Sequence, residues 1–296
     1  MQNLEISKNP SKLQIWWLAA RPKTLPVSLS PILVGTALAW HLQGFLFYLP
    51  LFIAIFSAAL IQIGTNLFND VADFENGVDT PNRTGPKRAT AQGWLSAKQV
   101  KTAAWFSFLL AFIGGIYLAF HGGLFIVAIG LLSLLAGWSY TCGPFPIAYR
   151  PLGEIFVLIF FGFAAFCGSF YLQTFFINKE ILFLSLLVGI HAAAVISVNN
   201  YRDLQQDKKH GKNTLAVKIG KNNSKKFYLL EILLPYFLLF FYGDAHLYLP
   251  FFTFPLAIFL IIRFWKDSGE KLNNLLALTA KLQLLFAILL SVGIVL

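Results

Sequence analysis

Long apolar segments are the feature that most restricts what this chain can fold into. A helix that crosses the hydrocarbon core of a bilayer, about 30 Å thick, needs about 20 mostly apolar residues. Nine such segments, bounded by charged residues, glycine or proline, lie near residues 25–41, 46–68, 102–120, 123–140, 154–173, 181–199, 228–242, 248–265 and 276–296. The pattern predicts an all-α integral membrane protein with nine transmembrane helices, while the short interval between the seventh and eighth segments leaves eight or ten spans open.

The composition excludes several other classes of protein. Hydrophobic residues make up 57% of the chain and charged residues only 12%, whereas about 25% of the residues of a soluble domain are charged. The net charge of +10 is typical of loops that face anionic lipid, so we expect membrane lipid and no nucleic acid as a partner. Cys142 and Cys167 are too few for a disulfide framework. Nothing in the sequence indicates an obligate protein partner.

The positions of lysine and arginine predict the orientation, because positively charged loops stay on the cytoplasmic side. Of the 23 lysines and arginines, 21 lie in the N-terminal segment or in alternate loops on the same side. The first of them is Lys8. Lys179 alone lies in the opposite loops, and Lys281 lies in or near the last segment. We therefore expect a multi-pass protein of the bacterial inner membrane, with a cytoplasmic N-terminus and an external C-terminus.

Two long loops on the cytoplasmic side, residues 69–101 and 200–227, open with a similar polar pattern. The patterns are Asn66, Asp70 and Asp73 in the first and Asn199, Asp203 and Asp207 in the second. An offset of 133 residues relates the first two members of each. We interpret this as a weak internal repeat within one domain, residues 1–296, with halves near 16–141 and 152–296. At about 100° per residue each pattern lies on one helix face, so the six side chains can converge on a shared cavity.

The chemistry of these side chains predicts a site for Mg²⁺ and diphosphate. Carboxylates without nearby thiols or paired imidazoles favour a hard cation, and Mg²⁺ leaves positions free for substrate phosphate. Acidic residues at membrane depth are costly and usually functional, although solvated helix ends are the alternative. Asp79 follows the helix-breaking Gly77 and can fold back toward the site. The same loops contain basic residues that could bind phosphate oxygens; a role in setting the membrane orientation or in contacting lipid is the alternative. These residues are Arg83, Lys87, Arg88, Arg202 and Lys212.

Several short stretches resemble the UbiA-type intramembrane prenyltransferases. They are Arg21–Pro26, Gln62–Asp70, Gly77–Arg83, Asn199–Asp203 and Gly211–Leu215. The resemblance extends from about Trp16 to Gly220, and it is strongest to the branch of the family that uses 1,4-dihydroxy-2-naphthoate. It implies a nine-helix UbiA-type bundle whose active-site cavity lies on the cytoplasmic side.

The resemblance also implies which acidic residues bind the metal. The residues that match the two family motifs are Asn66, Asp70 and Asp73 in the first and Asp203 and Asp207 in the second. The family more often separates the last two acids of the first motif by four positions, whereas Asp70 and Asp73 are three apart. This departure leaves open whether Asp73 or Asp79 completes the metal shell.

Three further residues are candidates for contact with the substrates. Tyr140 lies in the family's tyrosine-containing region, so the resemblance implies that it stabilises the prenyl cation or contacts the acceptor; an interface tyrosine is the alternative. Arg21 and Lys23 lie at the mouth of the first span and could bind the carboxylate of the acceptor. The charge asymmetry of the loops accounts for these two residues equally well.

The reaction implied by the resemblance is a Mg²⁺-dependent prenyl transfer in menaquinone synthesis. A polyprenyl diphosphate would donate its prenyl group to an aromatic acid, 1,4-dihydroxy-2-naphthoate, with loss of CO₂ and diphosphate to give demethylmenaquinone. Another acceptor, 4-hydroxybenzoate or an isomeric naphthoate, is the first alternative. A cation-coupled transporter is the remote one, because the acids cluster on one side and the first six spans contain no further acid before Glu154.

Overall fold

The computed structural model describes residues 10–79 and 83–296, and the regular structure in these ranges is helical. The helices are α1 Lys12–Ala20, α2 Leu25–Gln43, α3 Tyr48–Glu75, α4 Ala97–Ser139, α5 Gly153–Val157, α6 Ala165–Thr174, α7 Lys179–Lys209, α8 Leu215–Tyr242, α9 Phe254–Lys266 and α10 Lys271–Val295. A π-helical segment, Leu158–Ala164, continues α5 into α6. Lys8 of the predicted orientation and residues 80–82 of the family-like stretch lie outside the described residues.

The predicted count of nine spans is wrong. Seven helical segments of the described chain are long and apolar enough to cross a membrane. The predicted spans 102–120 and 123–140 are two consecutive parts of α4, which counts as one segment in this total. The predicted span 228–242 belongs to α8, where only 16 residues separate Lys226 from Gly243 and Glu231 interrupts them. That stretch is shorter than the about 20 apolar residues that a span requires.

The long helix α4 reverses direction at Gly123, whose backbone (φ 67°, ψ −160°) is not helical. The close approach between the two parts of α4 demonstrates the reversal, because a Cβ placed on Gly137 would lie 2.9 Å from the ring of Phe108. Along a straight helix these residues would be about 43 Å apart, at a rise of about 1.5 Å per residue. Both parts of α4 therefore pack against α3.

The most deeply buried span is α7, with 78% of its most apolar stretch inside the molecule. It packs against α8 and α10, and α10 also packs against α2. One apolar core is built mainly by these helices with α6 and α9, and a second joins α1 and α3 to α4. The C-terminal ends of α3 and α7, which carry the two polar patterns, reach the same internal cavity between these cores.

Candidate functional site

A cavity of about 790 Å³ lies between α2, α3, α4, α6 and α7 and is apolar over most of its wall. Its volume is in the range of about 300–1,000 Å³ that is usual for ligand sites. Charged residues line only one end, namely Arg21, Asp73, Arg88, Asp203, Asp207 and Lys212. Of the six members of the two sequence patterns, five line the cavity, and Asp70 is the exception.

Each acidic helix ends in a glycine with a left-handed backbone. Gly77 (φ 68°) follows α3, and the backbone N–H groups of Val78 and Asp79 donate hydrogen bonds to the carbonyl oxygen of Asp73 at 2.8 and 3.0 Å. Gly211 (φ 74°) follows α7, and the N–H of Lys212 donates to the carbonyl of Asp207 at 2.9 Å. This C-cap turns the chain back over the helix end. It brings the next side chains to the cavity entrance.

Asp70 faces the loop after α3 and holds that loop in place. Its buried carboxylate accepts hydrogen bonds from the backbone N–H groups of Ala89 at 3.0 Å and Thr90 at 3.4 Å, and from the Thr90 hydroxyl. The carboxylate thus replaces the missing partners of two loop amides. In this structure Asp70 organises the loop that carries the basic residues.

Asp73 points into the cavity and is the acidic residue with the closest cationic partner from the other helix end. Lys212 Nζ lies 2.6 Å from its carboxylate, and Tyr149 Oη donates to it at 3.4 Å. Lys212 also lies over the ring of Tyr149, 4.7 Å from its centroid. Arg88 contributes a longer contact of 3.5 Å.

Asp203 is held by the guanidinium of the preceding residue. Arg202 donates two hydrogen bonds to its carboxylate, at 2.8 and 2.6 Å, and further bonds to Asn199 and to Asn273 on α10. Arg83, from the loop after α3, lies 3.5 Å from the same carboxylate. This bidentate geometry fixes the orientation of the carboxylate more strictly than a single contact would.

Asp79 lies behind the cavity wall rather than in it. Its carboxylate is buried between Arg83 at 2.6 Å and Arg88 at 3.0 Å. Burial raises the pKa of the Asp79 carboxyl to about 6, and the neighbouring Arg83 opposes this shift. At neutral pH the group is therefore ionised and joins the two arginines. Of the two acids between which the sequence left the choice open, Asp73 is the one that lines the cavity.

The predicted basic residues divide into three groups. Arg21, Arg88 and Lys212 line the cavity, whereas Arg83 and Arg202 are buried behind it against Asp203. Lys23 and Lys87 are exposed and do not line it. Arg21 has a left-handed backbone (φ 54°), which is uncommon for a residue with a side chain. Its guanidinium donates to Asn69 at 3.2 Å, so this bend between α1 and α2 directs the side chain inward.

Three residues of the site are not among those predicted from the sequence. Asn69 accepts hydrogen bonds from both Arg21 and Arg88. Tyr149 contacts Asp73 and Lys212, and Asn200 lines the cavity. The two asparagines neighbour the residues of the polar patterns, which is the signal that could have identified them. Of the predicted residues, Tyr140 lines the cavity, and Asn66 lines it while donating to Ala20 and Thr24.

The site offers the oxygen ligands of a hard cation but no preformed metal cluster. Within residues 10–79 and 83–296, no group of three or more histidine, cysteine, aspartate or glutamate side chains could hold a metal ion. Basic side chains lie beside the carboxylates of Asp73 and Asp203 instead. Among the described residues that line the cavity there is no cysteine or histidine, so the donor chemistry fits Mg²⁺. Arg88 Nη1 is buried without a hydrogen-bond acceptor among the described residues, and a phosphate oxygen would satisfy it.

The chain is similar to known proteins over most of its length. The model of the UbiA prenyltransferase family matches residues 28–292. The 1,4-dihydroxy-2-naphthoate octaprenyltransferase of Haemophilus influenzae is 36% identical over 298 residues, 96% of each chain. The octaprenyltransferase of the same name from Escherichia coli is 37% identical over 227 residues, 74% of this chain and 72% of that protein. A solved UbiA homologue from Archaeoglobus fulgidus, bound to GPP and Mg²⁺, has a similar fold (TM-score 0.66, 15% identity, 95% and 99% coverage).

Proposed function

The chain belongs to the UbiA prenyltransferase family and is a multi-pass membrane prenyltransferase, and we propose that it transfers a polyprenyl group to 1,4-dihydroxy-2-naphthoate. The products would be demethylmenaquinol, which is the dihydroxy form of demethylmenaquinone, together with CO₂ and diphosphate. The observation that carries the proposal is a cavity with a charged end and a long apolar wall. A diphosphate with an isoprenoid tail has the same division of polarity. The two relatives named for this reaction support the choice of acceptor.

We propose that the charged end binds the diphosphate. Arg21, Arg88 and Lys212 line this end, and their charges would stabilise the negative charge that develops on the leaving diphosphate. Asn66, Asp73, Asn199, Asp203 and Asp207 would hold Mg²⁺ with it. When bound, the metal would supply further charge neutralisation at the leaving group. The A. fulgidus homologue, which binds GPP with Mg²⁺, supports this assignment.

The apolar wall has the second role in the proposal. Phe156, Phe160 and Tyr140 line the cavity, and their rings would stabilise the allylic cation through their π faces while excluding water. The electron-rich ring of the acceptor would then attack the cation at the carbon that bears its carboxylate. Departure of CO₂ would restore aromaticity. Fused rings would bury more apolar area here than a single ring, which favours a naphthoate over 4-hydroxybenzoate.

The experiment that tests this function follows the carboxyl carbon. Purified protein with Mg²⁺ and a polyprenyl diphosphate receives carboxyl-labelled 1,4-dihydroxy-2-naphthoate or 4-hydroxybenzoate. We expect a prenylated product without label from the naphthoate, and a far lower rate with the single-ring acid. Excess EDTA should abolish turnover, and added Mg²⁺ should restore it. Preferential prenylation of 4-hydroxybenzoate with the label retained would contradict the proposed acceptor, and full activity in EDTA would contradict the metal.

We also propose that the charged end of the cavity faces the cytoplasm, because residues 69–101 and 200–227, which follow the helix ends there, carry 13 of the 23 lysines and arginines. Single cysteines replacing Lys87 or Asn222, both exposed, test the orientation in a background without Cys142 and Cys167. Both should react only with reagent applied from the cytoplasmic side of inner-membrane vesicles. Labelling of either from the outside would overturn the orientation and leave the reaction untouched.

A further inference from the structure

Asn200 and Glu154 form a buried pair beside the cavity that the proposed diphosphate site does not use. Asn200 Nδ2 donates a hydrogen bond of 2.8 Å to Glu154 Oε1. Asn200 on α7 lines the cavity, whereas Glu154 on α5 lies behind it and is only 3% exposed. The two side chains therefore form one unit with a single face toward the cavity.

The position of Asn200 along α7 places it deeper in the cavity than the acids. At about 100° per residue it lies within about 20° of Asp207 on the same helix face, and about 10 Å from it along the axis. Tyr140 also reaches this level. A Cβ placed on Gly153 would lie 3.6 Å from Tyr140 Oη and 3.7 Å from Asn200 Nδ2. A molecule that attacks the first carbon of a prenyl diphosphate would occupy this level, next to the charged end.

The hydrogen bond to Glu154 also fixes which end of the amide is available. Because Nδ2 is used by Glu154, the carbonyl oxygen Oδ1 is the free end of the Asn200 amide. Within the described residues no group donates a hydrogen bond to this oxygen. The oxygen is therefore open to the cavity that Asn200 lines, where a hydroxyl group of a ligand could donate to it.

We infer that Asn200 Oδ1 accepts a hydrogen bond from a ring hydroxyl of the aromatic acceptor, and that Glu154 is the positioning residue that holds the amide for this contact. The inference rests on the proposed function and identifies a residue that selects hydroxylated acceptors. A site built around such a hydrogen bond rejects an analogue that lacks the donor, because its own polar atom is then left without a partner.

The test compares the Michaelis constants of the two substrates in the full-length protein, with farnesyl diphosphate and 1,4-dihydroxy-2-naphthoate as probes. Asn200→Leu and Glu154→Leu should each raise KM for the acceptor about tenfold or more, the loss expected for one buried hydrogen bond. KM for the diphosphate should stay within about twofold. Glu154→Gln keeps an acceptor oxygen for Nδ2 and should restore the acceptor KM. Glu231→Leu is the matched control, since Glu231 is a buried glutamate that does not line the cavity.

The two monomethyl ethers of the acceptor supply a second measurement, which a merely structural role would not change. The unmodified protein should reject at least one ether, whereas Asn200→Leu should use that ether and the parent acceptor equally well. Unchanged acceptor KM, an equal rise in both KM values, or retained discrimination against the ether in Asn200→Leu would overturn the inference alone. Failure of the unmodified protein to prenylate the naphthoate would overturn the proposed function as well.

Discussion

The C-terminal ends of α3 and α7 both reach the charged end of the cavity, and both close with a left-handed glycine, but different partners hold their carboxylates. On α3, Asp70 is bound by backbone amides of the following loop. On α7, Asp203 is bound by the side chain of its own neighbour, Arg202. One helix end thus organises the loop that follows it, whereas the other is held mainly by a side chain of its own helix.

Each of the two helix ends also receives a basic side chain from the loop that follows the other helix. Lys212, which follows α7, contacts Asp73 on α3, and Arg83, which follows α3, contacts Asp203 on α7. Each loop therefore supplies a counter-charge to the other helix. Two ends with the same sequence pattern are linked in this way, and neither is complete without its counterpart.

The largest expected effect comes from the acids that face the cavity. Asp73→Asn and Asp207→Asn should each lower turnover about 1,000-fold, equivalent to about 4 kcal/mol of transition-state stabilisation, because each removes a charge from the proposed metal site. Helical content should be unchanged. Glu75→Gln is the matched control, since this acid on the same helix is exposed. Near-normal turnover of both Asn variants, measured by product formation, would contradict the assignment.

The next largest effect concerns stability and tests the ion pair between Lys212 and Asp73. Lys212→Met leaves Asp73 without its closest cation and should lower the free energy of unfolding by about 3–5 kcal/mol, the usual cost of breaking a buried ion pair. Thermal unfolding in detergent measures this loss. Lys208→Met changes an exposed lysine one turn earlier and should have almost no effect. Equal melting temperatures for the two variants would show that the pair contributes no stability.

A smaller effect is expected where a carboxylate holds only a loop. Asp70→Ala removes the acceptor for the amides of Ala89 and Thr90 and should cost about 1–3 kcal/mol, since these buried groups lose their partner. The cost should appear locally. Limited proteolysis should cleave within residues 87–95 much faster than in the unmodified protein. Asp203→Ala removes a contact of Arg83 but none of Ala89 or Thr90, and should change the cleavage rate within residues 87–95 much less.

The smallest effect tests whether Asp203, at the end of α7, needs only a positive charge beside it or also the geometry of the Arg202 guanidinium. Arg202→Lys keeps the positive charge beside Asp203 but cannot form the two parallel hydrogen bonds, nor reach Asn199 and Asn273 as well. Turnover should fall about tenfold, equivalent to about 1.4 kcal/mol. Arg263→Lys, at an exposed arginine on α9, is the control. A loss as large as that of the aspartate variants would indicate that Arg202 itself contacts substrate.

Much of this site could be predicted from the sequence, because hydrophobic periodicity and the residues that form turns depend on neighbouring positions of the chain. The apolar segments predicted helices, and Gly77 predicted the turn that brings Asp79 back. The division of labour between Asp70 and Asp73 was not predictable, because both lie on one face of α3 and the choice depends on Ala89 and Thr90, which are distant in sequence. The count of segments differs from nine because the two arms of α4 form one continuous helix on either side of the bend at Gly123 and because the apolar part of α8 is short. The internal repeat and the single domain stay predictions.

The reversal of α4 at Gly123 also bears on how the chain enters a membrane during synthesis. Phe120 and Leu124, on either side of the bend, are strongly exposed apolar residues, and the one polar side chain between them, His121, is hydrogen-bonded to the carbonyl group of Leu172. A nascent hairpin of this kind can partition as one piece, with both arms already paired. A side chain at Gly123 would oppose the bend by about 1–3 kcal/mol, because this combination of a positive φ with an extended ψ is essentially confined to glycine. Such a substitution should therefore reduce the yield of inserted protein more than the activity of the molecules that do insert.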